Sequence, residues 1–154
     1  MKGSVTMHME AAPRVVWELV SDITNTGRFS PETIDAEWLG GATAPAVGVK
    51  FRGKVLRNGR PPAYWTVCRI TECEPGRVFA FDVLGPGERV MNSWRYDFAA
   101  EGEGTSVTES FELPANLPTR IYWSLLGRLR GRTNERGMRE TLERVREAAE
   151  EHSG

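Results

Sequence analysis

The feature that most constrains this chain is the run from Thr119 to Glu150. Pro118 precedes it, no later proline interrupts it, and its composition is dominated by Leu, Arg, Glu and Ala. These residues have high helix propensity. About 32 residues at ~1.5 Å each would form a helix of ~48 Å, longer than a domain of this size is wide. The run therefore predicts a long C-terminal helix that either crosses the whole molecule or bends.

Apolar residues of this predicted helix fall into two stripes. At ~100° per residue, the stripe that starts at Tyr122 lies roughly half a turn from the stripe that starts at Met138. Gly131 and Gly137 lie between them, where a helix bends at the least cost. We therefore expect a bend, or a change of packing partner, between these glycines. The first stripe comprises Tyr122, Leu126, Leu129 and Thr133, and the second comprises Met138, Leu142, Val145 and Ala149.

The preceding residues predict strands and short helices. Val5, Met7 and Met9 alternate with polar residues, which is typical of a half-buried strand. Pro13 is placed to open a first helix, and a second short helix is expected within residues 23–31. Strand-like runs separated by turn sequences then occupy residues 34–39, 49–57, 63–73, 77–84, 89–99 and 105–113. Short connections of this kind indicate an antiparallel meander.

The predicted fold class is α+β. One curved antiparallel sheet of about seven strands would pack against the long helix in two layers, with the two short helices after strand 1. A strongly twisted sheet that curves around a helix leaves a gap between the layers. That gap is the predicted binding site.

Composition limits the function. The 154 residues, 40% hydrophobic and with a net charge of −1, indicate one globular domain over residues 1–154 without the basic field that nucleic acids require. No apolar run is long enough to span a membrane and the N-terminus has no signal-peptide core, so the cytoplasm is expected. The cysteines and histidines have no metal-site spacing, so neither a metal nor another cofactor is expected. Cys68 and Cys73 are expected on opposite faces of one strand, as free thiols.

Several short segments, in order along nearly the whole chain, carry a resemblance to a known superfamily. They are Ala12-Pro13-Arg14-Val15-Val16-Trp17, Ser21-Asp22, Phe29-Ser30-Pro31-Glu32, Gly48-Val49-Lys50-Phe51-Arg52-Gly53, Glu74-Pro75-Gly76-Arg77-Val78-Phe79, Ser93-Trp94-Arg95-Tyr96-Asp97-Phe98 and Gly104-Thr105-Ser106-Val107-Thr108-Glu109-Ser110. The chain resembles the START-like, or SRPBCC, superfamily, and within it the polyketide cyclase/dehydrase and lipid-transport branch. The resemblance implies the helix-grip fold and a cavity for a hydrophobic ligand. It implies no particular chemistry, because one scaffold hosts binders, carriers and enzymes.

Strand parity selects the candidate ligand-binding residues, since alternate side chains of a strand share a face. The more apolar faces are expected to point at the helix, whereas neither face of the run 63–73 is clearly the buried one. Each aromatic residue taken singly fits ordinary core packing better, but the implied cavity favours a ligand-binding role for the set. The candidates are Phe51, Phe79, Phe81, Asn92, Trp94, Tyr96, Glu109, Phe111, Tyr122, Leu125, Leu126 and Leu129.

Glu109 is the one acid predicted on an inward face, between Val107 and Phe111. Burial would favour its protonated form, so it is a weak candidate for an acid or base, or for holding a ligand hydroxyl. A structural carboxylate paired with an arginine or a hydroxyl is the favoured interpretation. Asn92 could likewise hold a ligand carbonyl or satisfy a backbone group. No Ser/His/acid or Cys/His arrangement for nucleophilic catalysis is indicated.

A group of arginines lies in the first half of the predicted helix without an acid among them. Cations near a helix N-terminus oppose its dipole, so an anionic partner at the cavity rim is possible, although a solvated surface is the favoured interpretation. The group comprises Arg120, Arg128, Arg130 and Arg132.

Three functions fit these observations. The leading hypothesis is binding or transport of a small lipid-like or polyketide-like molecule. The alternatives are a polyketide cyclase/dehydratase and a protein-interaction module whose pocket is filled. An open, almost wholly apolar cavity would favour carriage, converging polar groups would favour an enzyme, and a packed interior would favour interaction.

Overall fold

The computed structural model describes residues 2–56, 60–114 and 134–151. The described elements form a seven-stranded antiparallel sheet with short helices after the first strand and a helix at the C-terminus, which is the helix-grip α+β fold expected from the sequence. The strands are β1 (Lys2–Met9), β2 (Thr33–Trp38), β3 (Lys50–Val55), β4 (Tyr64–Glu74), β5 (Val78–Leu84), β6 (Val90–Glu101) and β7 (Gly104–Glu112). The helices are α1 (Pro13–Ser21), α2 (Thr26–Phe29) and α3 (134–151), with 3-10 turns at Ile23–Asn25 and Pro86–Glu88.

The sheet runs in the order β1-β7-β6-β5-β4-β3-β2. Strands β2 to β7 form the expected meander, in which each strand pairs with the next one along the chain. Strand β1 adds to the other side of β7, where Val5 lies opposite Glu109 and Met9 opposite Thr105. Helix α1 and the 3-10 turn that follows it connect this edge of the sheet back to the opposite one. The tertiary structure, rather than the hydrophobic pattern, decides this last pairing.

Strand parity explains which residues are buried. On β7 the inward residues Thr105, Val107, Glu109 and Phe111 are all buried, as predicted. The sequence leaves the inward face of β4 ambiguous, and the structure buries Cys68 and Ile70 while Trp65 on the opposite face is exposed. The inward face of the sheet is therefore continuous across the strands.

The prediction that Cys68 and Cys73 lie on opposite faces is wrong. A β-bulge between Ile70 and Glu72 inserts one residue and restores Cys73 to the face of Cys68. Cys68 lies opposite Val83, and Cys73 lies opposite Phe79 on the same side of β5. Both are nevertheless free thiols, as predicted, because five residues along a strand separate them by ~17 Å, too far for a disulfide.

Helix α3 packs against the inner face through its apolar stripe. Met138, Leu142, Val145 and Ala149 are each at most 1% exposed. The helix is continuous through Gly137, so no break occurs at that glycine. Gly131, the first stripe and the candidate arginines Arg120, Arg128, Arg130 and Arg132 lie outside the described residues. Within the described part of the chain, no helix is both long and apolar enough to span a membrane.

Candidate functional site

A cavity of about 230 Å³ lies between the inner face of β2 to β7, the segment around α2, and the described part of α3. Ser30 and Pro31, where the chain turns towards β2, form one side of the cavity. Tyr64, at the beginning of β4, is exposed and borders the cavity at its margin. Met138, Thr141 and Val145 of α3 close it on the helix side. The cavity is where the sheet curves away from the helix, as the fold class predicts.

Aromatic rings form much of the sheet wall. Phe51 and Phe81 meet edge to face with centroids 5.1 Å apart, and Phe79 lies 5.8 Å from Phe81. Trp94 packs 5.6 Å from Phe111 on the adjacent strand. These separations are those of favourable aromatic pairs, which hold the rings in place. The wall is therefore a fixed apolar surface.

Glu109 and Tyr96 form a pair in this wall. They lie directly opposite each other on β7 and β6, and the Tyr96 hydroxyl donates a hydrogen bond of 3.0 Å to Oε2 of Glu109. Glu109 is 4% exposed, and burial raises its pKa to about 8 although the bond from Tyr96 opposes the rise. Burial, followed by the neighbouring carboxyl, raises the pKa of Tyr96 well above its usual value. At neutral pH both groups therefore carry their protons.

Two buried oxygens bordering the cavity have no hydrogen-bond partner among the described residues. They are Oε1 of Glu109 and the amide oxygen of Asn92. An unsatisfied buried acceptor costs about 1–3 kcal/mol, so such atoms in a folded protein need an explanation. Both oxygens border the same cavity, where a water molecule or a ligand can donate a hydrogen bond to each of them.

Some other polar groups bordering the cavity are already engaged in hydrogen bonds. The Ser30 hydroxyl accepts hydrogen bonds from the backbone N–H of Thr33 (2.9 Å) and of Glu32 (3.2 Å), which shapes the turn into β2. The Thr141 hydroxyl donates to the carbonyl of Gly137 within α3. Burial raises the pKa of the Cys68 thiol to about 12, so it stays protonated and is a poor nucleophile. Among the described residues, Glu109 and Asn92 are thus the ones that offer a buried oxygen still open to a hydrogen bond from the cavity.

The sequence matches the profile of one protein family, described as polyketide cyclase/dehydrase and lipid transport, over residues 1–150. The chain belongs to this family. No curated protein matches it.

Solved structures agree with the family. The Polyketide_cyc-like protein Cgl2372 from Corynebacterium glutamicum is 27% identical, covers 97% of this chain and 91% of its own, and superposes with a TM-score of 0.65. TTHA0849 from Thermus thermophilus is 16% identical over 100% of both chains with a TM-score of 0.74. The di-domain ARO/CYC StfQ from the steffimycin biosynthetic pathway is 14% identical with a TM-score of 0.74, over 99% of this chain and 51% of its own. The last two likenesses show the fold.

The structure brings most of the predicted site residues of this family member onto the cavity. Phe111 is the exception among those described, because it is 3% exposed and packs beside Trp94 rather than on the cavity surface. Tyr122, Leu125, Leu126 and Leu129 lie outside the described residues, and their role stays a prediction. The candidates that border the cavity are Phe51, Phe79, Phe81, Asn92, Trp94, Tyr96 and Glu109, and their contact with a ligand stays a prediction.

Sequence reasoning missed the contribution of the second helical stripe. The ligand candidates predicted on the long helix lie only between residues 122 and 129, yet Met138 and Val145 of the second stripe border the cavity. Their apolar spacing indicates their burial but not their partner. The residues around α2, among them Phe29 and Pro31, also border it and carry no pattern that predicts this. Thr66 on β4 was missed because the parity of that strand is ambiguous in the sequence.

The structure also identifies the partner of Glu109. Of the two kinds of partner expected, an arginine or a hydroxyl, it provides the hydroxyl of Tyr96. Among the residues bordering the cavity in the described ranges there is no Lys, Arg or His. Likewise, the described residues hold no cluster of three His, Cys, Asp or Glu side chains arranged for a metal ion.

Proposed function

We propose that this protein binds a small hydrophobic molecule, lipid-like or polyketide-like, in the cavity between the sheet and α3, and transports it or holds it for a partner. The observation that carries binding is the pair of buried oxygens, on Glu109 and Asn92, that have no hydrogen-bond partner among the described residues and border one cavity. The aromatic wall of that cavity favours carriage over catalysis.

Affinity in such a site would come mainly from the apolar wall. Burial of apolar surface contributes about 25 cal/mol per Å², and flat rings offer a large contact area. Hydrogen bonds to the few polar groups would then fix the orientation of the ligand. This division of roles suits carriage, in which the ligand is held without being changed.

The open cavity argues against the interaction-module hypothesis. Phe81, Val83, Trp94 and Tyr96 lie on the inner face of central strands, yet each is partly exposed. Their accessible surface therefore faces the cavity rather than the outer surface. A protein that used only its rim to bind partners would gain stability by filling this space.

The test is a substitution that fills the cavity. Val83 lies between Cys68 and Asn92 at the centre of the sheet, so Val83→Trp should abolish the fluorescence gain of N-phenylnaphthylamine, a neutral hydrophobic probe. The matched control is Met91→Trp, which adds the same ring at a position on β6 that is 50% exposed. The control should bind the probe like wild type. Equal probe binding by the two variants, with both folded by circular dichroism, would refute the proposed site.

A second candidate function is a cyclase/dehydratase acting on a bound polyketide intermediate. The Glu109–Tyr96 pair favours it, because two protonated groups in contact can donate and recover a proton at a cavity wall. The ARO/CYC proteins among the structural neighbours share the fold, at 14% identity for StfQ. Converging polar groups are the feature that sequence reasoning assigns to an enzyme.

Glu109→Gln separates the two functions. It preserves the size and the hydrogen-bonding capacity of the side chain but removes its proton-transfer role. A carrier should take up the probe with nearly unchanged affinity. A cyclase should lose turnover of a polyketide substrate by a factor of about 10²–10⁴, as expected for loss of a general acid or base.

A further inference from the structure

The polar groups of the cavity also limit what kind of molecule it accepts. We propose that the cavity selects uncharged hydrophobic ligands with an oxygen function at each end, a hydroxyl or carbonyl at Glu109 and a hydroxyl at Asn92, and that it discriminates against carboxylates. This inference rests on the proposed binding function and names the ligand class for the same site.

The first step is the charge of the wall. The described residues that border the cavity include the carboxyl groups of Glu32 and Glu109 and no cationic side chain. A ligand carboxylate beside Glu109 would lose its water against a buried carboxyl group and aromatic rings, with no cation among the described residues around it, which costs several kcal/mol. A hydroxyl or ketone of the same length avoids this cost.

The second step is the kind of hydrogen bond left open. The Tyr96 hydroxyl donates a hydrogen bond to one oxygen of Glu109. The other oxygen can accept a hydrogen bond from a ligand hydroxyl or, when it carries the proton, donate one to a ligand carbonyl. The free amide oxygen of Asn92 is an acceptor and suits a hydroxyl. A carboxylate has no proton to give to the Asn92 oxygen, or to the Glu109 oxygen when that oxygen is unprotonated.

The third step is the spacing. Asn92 and Tyr96 share the inner face of β6 four residues apart, which places their Cα atoms ~14 Å from each other at ~3.4 Å per residue. Glu109 lies beside Tyr96, and Trp94 lies between the two polar ends. The ligand is therefore elongated, with an apolar middle against the Trp94 ring.

The experiment uses the full chain and displacement of N-phenylnaphthylamine by a matched series: dodecanol, the α,ω-diol of dodecane, and dodecanoic acid, each below its critical micelle concentration. At about pH 7 the diol should compete best, the alcohol about tenfold less well, and the ionised acid at least about tenfold less well than the alcohol. An acid that competes as well as the alcohol would overturn the inference.

Asn92→Leu tests the second polar end without adding charge. In this variant the diol should lose most of its advantage over the alcohol, whose single hydroxyl still has Glu109 as a partner. Met91→Leu, on the outer face of the same strand, is the control and should preserve the advantage. A diol advantage that survives in Asn92→Leu would contradict the assigned position.

The protonation state of Glu109 allows an independent test of the same inference. Among the described residues, Tyr96 on β6 contacts Glu109, and the titratable groups of Glu32, Tyr64 and Cys68 border the same cavity. Val5 on β1 and the described cavity residues of α3 are not ionisable. A long-chain methyl ketone accepts only, so it should bind about tenfold more weakly at about pH 9 than at about pH 6 in wild type. In Glu109→Gln, whose amide donates at both pH values, its affinity should not change, and a pH effect that persists there would overturn this assignment.

The outcomes also separate this inference from the proposed function. If no member of the series displaces the probe and Val83→Trp leaves the probe signal unchanged, the binding site itself is wrong. If all three ligands displace the probe equally and Val83→Trp prevents it, the site stands and only the selectivity is wrong.

Discussion

The inner face of the sheet has two regions that differ in packing although they share strands. In the closed region, defined by Met9, Phe98, Val107, Leu142 and Ala149, every side chain is at most 6% exposed. In the open region, defined by Phe81, Val83, Asn92, Trp94 and Tyr96, the inward side chains keep accessible surface that faces the cavity.

The change from one region to the other happens within single strands. On β6, Phe98 is buried in the core, whereas Asn92 and Trp94 border the cavity. The two regions show that stability and binding are assigned to different parts of one layer. The closed region keeps sheet and helix together, so the open region can remain incompletely packed.

The largest expected difference between the regions is in the cost of truncation. Leu142→Ala should lower the free energy of unfolding by about 2–5 kcal/mol, since it opens a new cavity beside fully buried neighbours. Val83→Ala should cost about 1 kcal/mol or less, because Val83 already borders empty space. Urea unfolding of both variants measures these changes in the free energy of unfolding. Equal costs would break the distinction between a closed and an open region.

The next effect concerns the ionisable group of the open region. The folded-state pKa of Glu109 is raised to about 8, so the folded protein binds its proton more tightly than the unfolded chain does. The contribution of the Glu109 proton to the free energy of unfolding is complete below about pH 4.5 and is lost as pH rises to about 8. Between about pH 5 and about pH 8, wild type should therefore lose about 2–4 kcal/mol relative to Glu109→Gln.

Glu112→Gln is the control for this pH effect. Glu112 is an exposed acid on the same strand and lies 3.9 Å from Lys2, a surface pair of little energetic weight. Its pH profile of unfolding should follow wild type. A Glu109→Gln profile parallel to wild type would mean that Glu109 is ionised in the folded protein.

The smallest expected effect lies on the outer surface of the closed region. Hydrogen bonds of 2.6 Å from His8 to Glu10 and Glu101 raise the pKa of His8. Its stabilising contribution is present below about pH 6.5 and is lost as pH rises through the raised pKa. His8→Gln should therefore lower Tm slightly at about pH 5.5 and not at about pH 9. A Tm change of the same size at both pH values would contradict the assigned role.

The sequence by itself determined the element order, the fold class and the inward face of most strands. Alternation on β7 identified Val107, Glu109 and Phe111, and the spacing in α3 identified the buried stripe from Met138 to Ala149. These features are local, because a side chain's face follows from the two-residue period of a strand or the 3.6-residue period of a helix.

Only the tertiary structure decided which inward side chains lie in the core and which border the cavity. The bulge at Thr71 reversed the predicted face of Cys73, because one inserted residue changes the parity of everything beyond it. Likewise, the spacing of Met138 and Val145 indicates their burial but not the cavity they border, and nothing local distinguishes Phe111 in the core from Trp94 at the cavity. A cavity exists because the curved sheet separates from the helix, and that separation depends on all the layers at once.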